Sequence, residues 1–590
     1  MKMAWLHRAG HFAQLVGVRV TLLQCVGIVW IMLDRSSRNL HAACKKYICR
    51  FSANTTGGIL DMQFRTHMKL MGVGVLVVVA ALAGSAGAAE SPQAGRATHT
   101  DSDSRSPQHS TSNAPWFPSL NASEAFDSGR SHVFSEAYFG GSERRANTVT
   151  SQSSPENQYP SAYNMVYKDA KHVYVYGGSY GNVPGSIGAY VAQVDPTTLK
   201  PIWYTQLLNS TAGPDAGTWN YPGVMGLLND GNIYVTYSNK LAKVNPGTGA
   251  VLATLELPHP GAAATDTSYN GFDATPNGTI ILKSLYRTAG CTKQGPSALS
   301  CSGPVPPSVI VSVNPSTMTV NDTVQLTQPA GARPTISQFK GKTYYYLVQG
   351  SSYGDAYPVR YIISSTGQFT FDTSWKAPNV NPIAGQGATT SLGVFGNWMV
   401  IQNNSLKSQV PLTVTAINQA DGSVATSLQP FANIPIDPTY AAALGATSWA
   451  PAAVAADASS GLIYAFDAAA RRVDALKLTV TNGKPSLSVV WSMPDTTTEF
   501  MLLIGSPEHR VLVTTDIPTS QTPGANSTDS IVWRSAATGA VLATSAQLPA
   551  MTQGTQIQPF YNGNVFWEGE LGTLSLVAPR VSHPSGRSDG

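Results

Sequence analysis

The chain has 590 residues, of which 12% are charged, and it contains 53 glycines and 39 prolines. Low charge with many turn-forming residues favours an all-β protein rich in turns. The formal net charge is +4, but the first 61 residues carry eight Lys or Arg against two Asp or Glu, and residues 62–89 add two more basic residues. The remaining chain therefore has a formal charge of −4, which argues against a nucleic-acid-binding surface.

The N-terminus contains two apolar stretches. The first, Leu15–Leu33, includes Arg19, and an arginine inside a membrane span is costly. We interpret residues 1–61 as an upstream extension from a mistaken translation start, or else as a membrane anchor. The second stretch, Met71–Leu82, follows basic residues and precedes small ones, which is the pattern of a signal peptide over residues 62–89. The sequence thus predicts a secreted or periplasmic protein that contacts membranes only through an uncleaved N-terminal segment.

A repeated strand-and-turn unit organises the rest of the chain. Residues Tyr221–Pro258 contain four short apolar runs separated by Asn-Asp-Gly, Ser-Asn and Asn-Pro-Gly turns, which predicts four antiparallel strands. The heptad Thr248–Thr254 recurs letter for letter as Thr538–Thr544. Weaker copies of the turn lie between them at intervals of roughly 57 residues, a spacing typical of β-propeller blades.

Counting these turns gives seven blades, and the strands after Thr555 supply three quarters of another. An N-terminal segment, His132–Phe139 or Thr148–Ser153, could add the missing strand and close the ring, which removes exposed sheet edges. We therefore predict an eight-bladed propeller of four-stranded antiparallel blades over residues 131–579, with seven blades as the alternative. Residues 90–130, rich in Ser and Thr at their start, are predicted to be a disordered tether, and residues 580–590 a disordered tail.

One repeat resembles a known family. In Gln193–Trp203, the positions of Asp195, Thr198 and Trp203 are similar to the repeat of quinoprotein-type, PQQ-like propellers, in which a Trp docks between neighbouring blades. The copies at Thr248 and Thr538 keep Thr-Gly but have alanine where Trp would stand. The resemblance implies the propeller fold over most of the chain.

The same resemblance bears on cofactors. Quinoprotein dehydrogenases carry two adjacent cysteines against the quinone, a calcium site of Glu, Asn and Asp, and an Asp base. No two cysteines are adjacent in this sequence, and the calcium ligands cannot be assigned to positions. We therefore expect no cofactor and no PQQ, although Ca²⁺ could bind.

Aromatic and amide side chains cluster just before several predicted innermost strands. In a propeller these positions lie at one mouth of the channel, where rings and amides would suit a sugar or another neutral polar ligand. The alternative is that the rings pack between blades and the amides cap strand ends. The candidate ligand-binding residues are Tyr163, Asn164, Trp219, Asn220, Tyr269, Asn270 and Trp449.

Three carboxylates complete the candidate set. Glu568 and Glu570 alternate along a strand and so share one face, where they could serve acid–base chemistry or bind Ca²⁺; ordinary solvated charge is the alternative. Asp273 could be a channel carboxylate paired with Lys283 or Arg287, or simply part of a structural salt bridge. No metal site is predicted.

Two cysteines, Cys291 and Cys301, follow the predicted signal peptide. An even number of cysteines in an exported chain predicts a disulfide between them.

The sequence contains no Gly-x-Ser-x-Gly, His-Glu-x-x-His or P-loop motif. We therefore expect an exported binding or scaffolding propeller that recognises a polar small molecule, glycan or protein partner at a channel mouth. The alternative is a propeller enzyme, either a hydrolase or lyase acting on carbohydrates or lactones or, with less support, a PQQ-dependent dehydrogenase.

Overall fold

The computed structural model describes residues 114–582 except 179–184, 351–353, 388–390, 406–409, 437, 439–452, 499, 525, 551–555 and 570. Before them it describes only five short strands, which belong to a separate unit, Met1–Ser104. In that unit Val29–Met32, His41–Cys44 and Tyr47–Arg50 form one antiparallel sheet, and Ala53–Thr56 pairs with Ile59–Met62. Most of the predicted signal peptide, the tether before residue 114 and most of the C-terminal tail lie outside the described residues. The described part contains no helix with the length and hydropathy needed to cross a bilayer.

The unit Arg105–Gly590 is all-β and contains eight four-stranded antiparallel blades, as predicted. Blades 1 to 4 follow one another along the chain. Their strands, from the innermost outward, are Asn164–Tyr167, Val173–Gly177, Tyr190–Val194 and Pro201–Gln206; Met225–Leu227, Ile233–Tyr237, Lys240–Val244 and Val251–Glu256; Thr267–Ala274, Ile280–Tyr286, Val309–Asn314 and Thr319–Gln325; and Thr335–Phe339, Lys342–Gly350, Ala356–Ile363 and Phe369–Phe371.

Blades 5 to 8 complete the ring. Their strands, in the same order, are Gly393–Phe395, Trp398–Gln402, Val414–Asn418 and Ala425–Leu428; Ala455–Asp457, Leu462–Asp467, Arg472–Thr481 and Lys484–Pro494; Leu502–Ile504, Val511–Asp516, Thr528–Ser535 and Val541–Thr544; and Gln558–Phe560, Asn564–Gly569, Thr573–Val581 and Asn147–Ser153. Two further pairs are Gln386–Gly387 with Asn404–Ser405, and Leu548–Pro549 with strand Thr528–Ser535. Short 3₁₀ turns occur at Gly213–Asp215, Ala264–Asp266, Gly295–Ser300, Pro507–His509 and Tyr561–Gly563.

The ring is closed by the chain's N-terminal side. Strand Asn147–Ser153 pairs antiparallel with Thr573–Val581, the last strand of the chain. The second of the two predicted segments is therefore the one that completes the eighth blade. The first supplies a different contact, because Val133–Phe134 pairs in parallel with the innermost strand of blade 7.

Burial follows strand position within each blade. The second strand of blade 1, Val173–Gly177, is buried along its whole length. The outer strand Val251–Glu256 alternates between exposed and half-buried side chains. Inner strands pack against neighbouring blades on both faces, so they read as continuous apolar runs, whereas outer strands face solvent on one side.

The structure differs from the sequence prediction at the end of the tether. Residues 114–130 are not a tether: Trp116 is 3% exposed and Asn121 is fully buried. Trp116 also forms a β-bridge with Leu228 next to the innermost strand of blade 2. The apolar side chains of Trp116 and Leu120 give this stretch the burial that the Ser- and Thr-rich residues before it cannot supply.

Candidate functional site

Residues 114–134, hereafter the axial segment, pass along the innermost strands and hydrogen-bond to all eight blades. Apart from Val133–Phe134 the segment contains no strand or helix, so its buried backbone groups need other partners, and several of them bond to the ring. The bonds, one for each of blades 1 to 8, are Tyr167 N to Asn121 O (2.7 Å), Leu227 N to Ala122 O (2.8 Å), Ser128 Oγ to Ala274 O (2.7 Å), Ile336 N to Ser128 O (2.8 Å), Val394 N to Gly129 O (2.7 Å), Ala456 N to Ser131 O (3.0 Å), Leu503 N to His132 O (2.8 Å) and Asn121 Nδ2 to Gln558 Oε1 (2.5 Å).

A buried charge cluster fixes the segment at its centre. Glu124 accepts hydrogen bonds from Arg130 Nη1 at 2.6 Å, from the Tyr163 hydroxyl at 2.6 Å and from Arg333 Nη1. The guanidinium of Arg333 also lies 4.8 Å from the centroid of the Tyr163 ring. Because Glu124 and Arg130 belong to the segment while Arg333 and Tyr163 belong to the ring, the cluster joins the two. A buried charge that loses such partners is strongly destabilising.

Burial shifts the ionisation of groups around this cluster. It raises the pKa of Asp273 to about 8, against the lowering effect of Arg130, and one oxygen of Asp273 has no hydrogen-bond partner among the described residues. Burial likewise lowers the pKa of Arg333 to about 9 and that of His132 to about 3. His132 is therefore neutral, and its ring stacks on Phe500 with centroids 5.8 Å apart. Desolvation is the common cause, since the ring and the segment together exclude water.

Three of the predicted ligand-binding residues, Tyr163, Asn270 and Asp273, lie in the channel beside the axial segment and its charge cluster. The Tyr163 hydroxyl donates to Glu124, and the backbone oxygen of Asn270 accepts from Arg333 Nε at 2.9 Å. Asp273 lines a void of about 10 Å³ beside the axial segment, a volume at the lower limit for one water molecule.

The expected pairing of Asp273 with Lys283 or Arg287 is absent from the described contacts. Lys283 Nζ donates to the backbone oxygens of Ala330, at 2.6 Å, and Gly331, at 3.3 Å. Arg287 pairs instead with Asp266, Nε to Oδ1 at 2.7 Å.

The other aromatic and amide candidates lie at contacts within the ring. Asn164 binds the neighbouring blade through both its amide atoms, donating to Met225 O at 2.9 Å and accepting from Met225 N at 3.1 Å. The Tyr269 hydroxyl donates to Pro258 O at 2.5 Å. These positions agree with the packing alternative for the two residues.

Trp219 and Asn220 hold the cysteine-containing insertion. Cys291 and Cys301 form the predicted disulfide, with Cα atoms 6.1 Å apart. Trp219 Nε1 donates to Gly295 O at 3.0 Å, and its ring packs in a small apolar cluster with Cys291. Asn220 donates its backbone N–H to Gln294 Oε1 at 3.1 Å.

Glu568 is fully buried rather than solvated, and neither carboxyl oxygen has a hydrogen-bond partner among the described residues. Burial raises its pKa well above the ordinary value, which favours the protonated form of the side chain. Its predicted companion Glu570 and the candidate Trp449 lie outside the described residues. Within the part of the chain that is described, no three His, Cys, Asp or Glu side chains converge as metal ligands.

A cavity of about 490 Å³ opens at one mouth of the channel, hereafter the mouth cavity. Its walls come from the ends of innermost strands and the turns after them, in blades 3 to 7, and its floor comes from the axial segment. It therefore opens on the face opposite to the one predicted, where the chain enters each innermost strand. Small side chains, including Ala274, Ala456 and Ala458, keep it wide, and none of the eight described candidate residues lines it.

Two acidic groups face this cavity. Asp127 accepts hydrogen bonds from Ser131 N at 3.1 Å and Ser131 Oγ at 2.8 Å, and burial raises its pKa. Asp457 accepts from Arg510 Nε at 2.8 Å. Burial alone would raise the pKa of Asp457, but hydrogen bonds from Ser459 and Arg510 hold it below the ordinary value. The lining of the cavity thus combines apolar methyl groups with the Asp127 carboxyl, whose pKa is raised, and the ion pair between Asp457 and Arg510.

Sequence reasoning missed Glu124, Arg130, Arg333 and the residues of the mouth cavity. The available signal was the run Trp116-Phe117 with Leu120 and Phe126, which is too apolar for a tether. Nothing in the sequence pairs Glu124 with Arg333, because 209 positions separate them.

No protein-family model and no curated protein sequence matches the chain. Among solved structures it is similar to the quinohemoprotein alcohol dehydrogenase ADHIIG from Pseudomonas putida, with a TM-score of 0.51 and 11% identity over 80% of this chain and 82% of that one. It is also similar to a quinohemoprotein alcohol dehydrogenase from Comamonas testosteroni, with a TM-score of 0.49 and 10% identity over 81% and 83% of the two chains. A europium-containing methanol dehydrogenase gives a TM-score of 0.46 and 9% identity over 78% and 98%. The chain has the quinoprotein-type propeller fold, and a fold does not fix a function.

The described residues do not fit a quinone on the channel axis. The volume there is taken by Glu124, Arg130 and Arg333, whose hydrogen bonds are mutually satisfied. The adjacent cysteines expected against a quinone are absent from the sequence.

Proposed function

We propose that this chain is an exported propeller that acts as a binding or scaffolding module, with a polar small molecule, glycan or protein loop as its ligand in the mouth cavity. The observation that carries the proposal is a preformed cavity of about 490 Å³, within the size range of small-molecule sites. Its small alanine walls leave room for a ligand, and its floor belongs to the axial segment, which hydrogen-bonds to every blade.

Export is supported by the predicted signal peptide over residues 62–89 and by the disulfide between Cys291 and Cys301. Disulfides persist in secreted and periplasmic proteins and are rare in the cytosol. N-terminal sequencing of the protein purified from its native host tests this part. We expect the mature chain to begin within a few residues of Glu90, and a start at Met1 would contradict export.

A ligand screen with a cavity-filling variant tests the site. Ala458 is an exposed turn residue that lines the mouth cavity, so Ala458→Trp should fill the cavity without disturbing the core. Ala537 is an exposed alanine in another turn that does not line it, and Ala537→Trp is the matched control. A glycan array and a thermal-shift screen should give a ligand that raises Tm by mass action.

We expect the ligand's effect to be lost in Ala458→Trp and kept in Ala537→Trp. A ligand that binds both variants equally would place binding elsewhere and overturn the choice of site. Robust turnover of glycosides, lactones or alcohols by the wild type would replace the binding role with an enzymatic one.

One observation supports an enzyme as the second candidate. Asp127 combines a raised pKa with a position on the cavity floor, the properties of an acid–base group in a hydrolase or lyase. Under this alternative, Asp127→Asn should abolish turnover while leaving Tm within a few degrees. Turnover that survives Asp127→Asn would remove this residue from the chemistry. Metal analysis of purified protein discriminates further, since retained Ca²⁺ would favour the enzyme.

A further inference from the structure

We infer that the axial channel is itself a peptide-binding site, and that residues 114–134 are its ligand, supplied by the same chain and held by non-covalent contacts rather than by chain connectivity. The segment forms the floor of the mouth cavity, but the ring can retain the segment whether or not the cavity binds an external ligand. The ligand class is an extended peptide that carries an amide, a carboxylate and a guanidinium group.

The backbone evidence is that the segment behaves as a bound peptide does. It has almost no secondary structure of its own. Each blade of the ring forms a hydrogen bond with a different group of the segment. At its C-terminal end it adds a parallel strand, pairing Val133 with Leu503 and Phe134 with Ile504. Strand addition of this kind is a common mode of peptide recognition.

The side-chain evidence is three buried anchors. Trp116 lies 5.9 Å from the ring of Phe272, centroid to centroid. Asn121 Nδ2 donates to Met165 O at 2.9 Å as well as to Gln558. Glu124 joins Tyr163 and Arg333 of the ring. Buried aromatic and charged anchors of this kind carry most of the energy of an interface.

The covalent connection between segment and ring is separate from these contacts. Residues Glu143–Ala146, which precede the closing strand, are exposed. A protease site placed between Arg144 and Arg145 can therefore be cut without removing an anchor. Insertions at exposed loops are generally tolerated.

The experiment is to insert a specific protease site there in the full-length chain, fold the protein intact and then cleave it. We expect the N-terminal fragment to stay with the ring through size-exclusion chromatography in native buffer. Loss of the fragment immediately after cleavage would overturn the inference, because it would show that connectivity alone holds the segment.

Two matched substitutions in the cleavable protein identify the contacts that retain the fragment. Glu124→Gln keeps the side chain's shape but removes the charge that pairs with Arg130 and Arg333. Glu136, in the same fragment, is exposed, so Glu136→Gln is the control. We expect fragment dissociation to be at least tenfold faster with Glu124→Gln and unchanged with Glu136→Gln.

Equal dissociation rates for the two variants would overturn the inference, since retention would then come from other parts of the fragment. If Glu124→Gln does not fold, Tyr163→Phe replaces it. That variant removes one hydrogen bond to Glu124 from the ring side and keeps the aromatic ring under Arg333. We expect it to accelerate dissociation two- to tenfold, and no acceleration would contradict the role of Glu124.

Discussion

The indole of Trp203 lies directly against the backbone of Gly249, so that a Cβ atom on this glycine would lie 2.5 Å from the ring. Trp203 belongs to the outer strand of blade 1, and Gly249 to the last turn of blade 2, where its φ is +69°. The indole Nε1 also donates to Pro246 O in that turn at 3.2 Å. The contact joins the outer strand of blade 1 to the last turn of blade 2.

The same relationship recurs at the other copy of the repeated heptad. Trp491 of blade 6 lies against Gly539 of blade 7, whose φ is +74°, and donates to Ala536 O at 3.0 Å. In both copies, the glycine of the Thr-Gly turn thus packs against a Trp from the outer strand of the preceding blade.

Substituting Gly249 with alanine should destabilise the protein strongly. The new Cβ would meet the Trp203 ring, and the positive φ would add backbone strain, so we expect a loss of about 2–4 kcal/mol in the free energy of unfolding. Gly231 also has a positive φ, +75°, but no atom lies within 4 Å of an added Cβ. Gly231→Ala should therefore cost only about 1 kcal/mol. Urea unfolding of the two variants measures the difference, and equal losses would show that the Trp contact is unimportant.

Asp273 should make stability fall as pH rises. Its pKa is about 8 in the folded state, against an ordinary aspartate value of 3.8, so between these limits the folded protein holds a proton that the unfolded chain has released. Stability is therefore lost as pH rises from about 4 to 8, with the slope of one released proton, and this group adds no further pH dependence above that range. Asp273→Asn, which mimics the protonated form, should remove this contribution. A variant whose stability relative to wild type does not change with pH would contradict the assignment.

Glu568→Gln should leave the fold intact. The stability of the variant relative to wild type should rise as pH increases above the ordinary pKa of a glutamate. Burial raises the carboxyl's pKa well above its usual value, so at higher pH the unfolded chain ionises this group while the folded protein must keep it protonated. Glutamine needs no such proton. Tm measured against wild type at pH 5 and pH 8 tests this, with the difference expected to grow at pH 8. A Tm difference that shrinks at pH 8 would mean that Glu568 is ionised and compensated.

Reduction of the Cys291–Cys301 disulfide should act locally. The bridge closes a short insertion that packs on Trp219, and it crosslinks no two blades. We expect dithiothreitol to change tryptophan fluorescence and to expose the insertion to protease, while far-ultraviolet circular dichroism keeps its β signal. The variant with both cysteines changed to serine should behave like the reduced protein. A global loss of β signal on reduction would show that the insertion supports the ring.

Local patterns in the sequence determined the architecture of this protein. Alternating apolar runs with Asp-Gly and Thr-Gly turns predict strands, hairpins and blades, because each of these depends on residues close together in the chain. The recurrence of Thr248–Thr254 as Thr538–Thr544 predicts the repeat, and the incomplete last blade predicts closure by an N-terminal strand.

Only the tertiary structure decided what fills the channel. Glu124 meets Arg333 across 209 residues, and Trp203 meets a turn of the following blade. Contacts of this kind depend on how the blades close around the axis, and no local periodicity encodes them. The aromatic and amide residues read from the sequence as a ligand site include Tyr163 and Asn270, which contact the axial segment and its charge cluster. A sequence shows that such side chains face inward, but closure of the ring determines which partner reaches them.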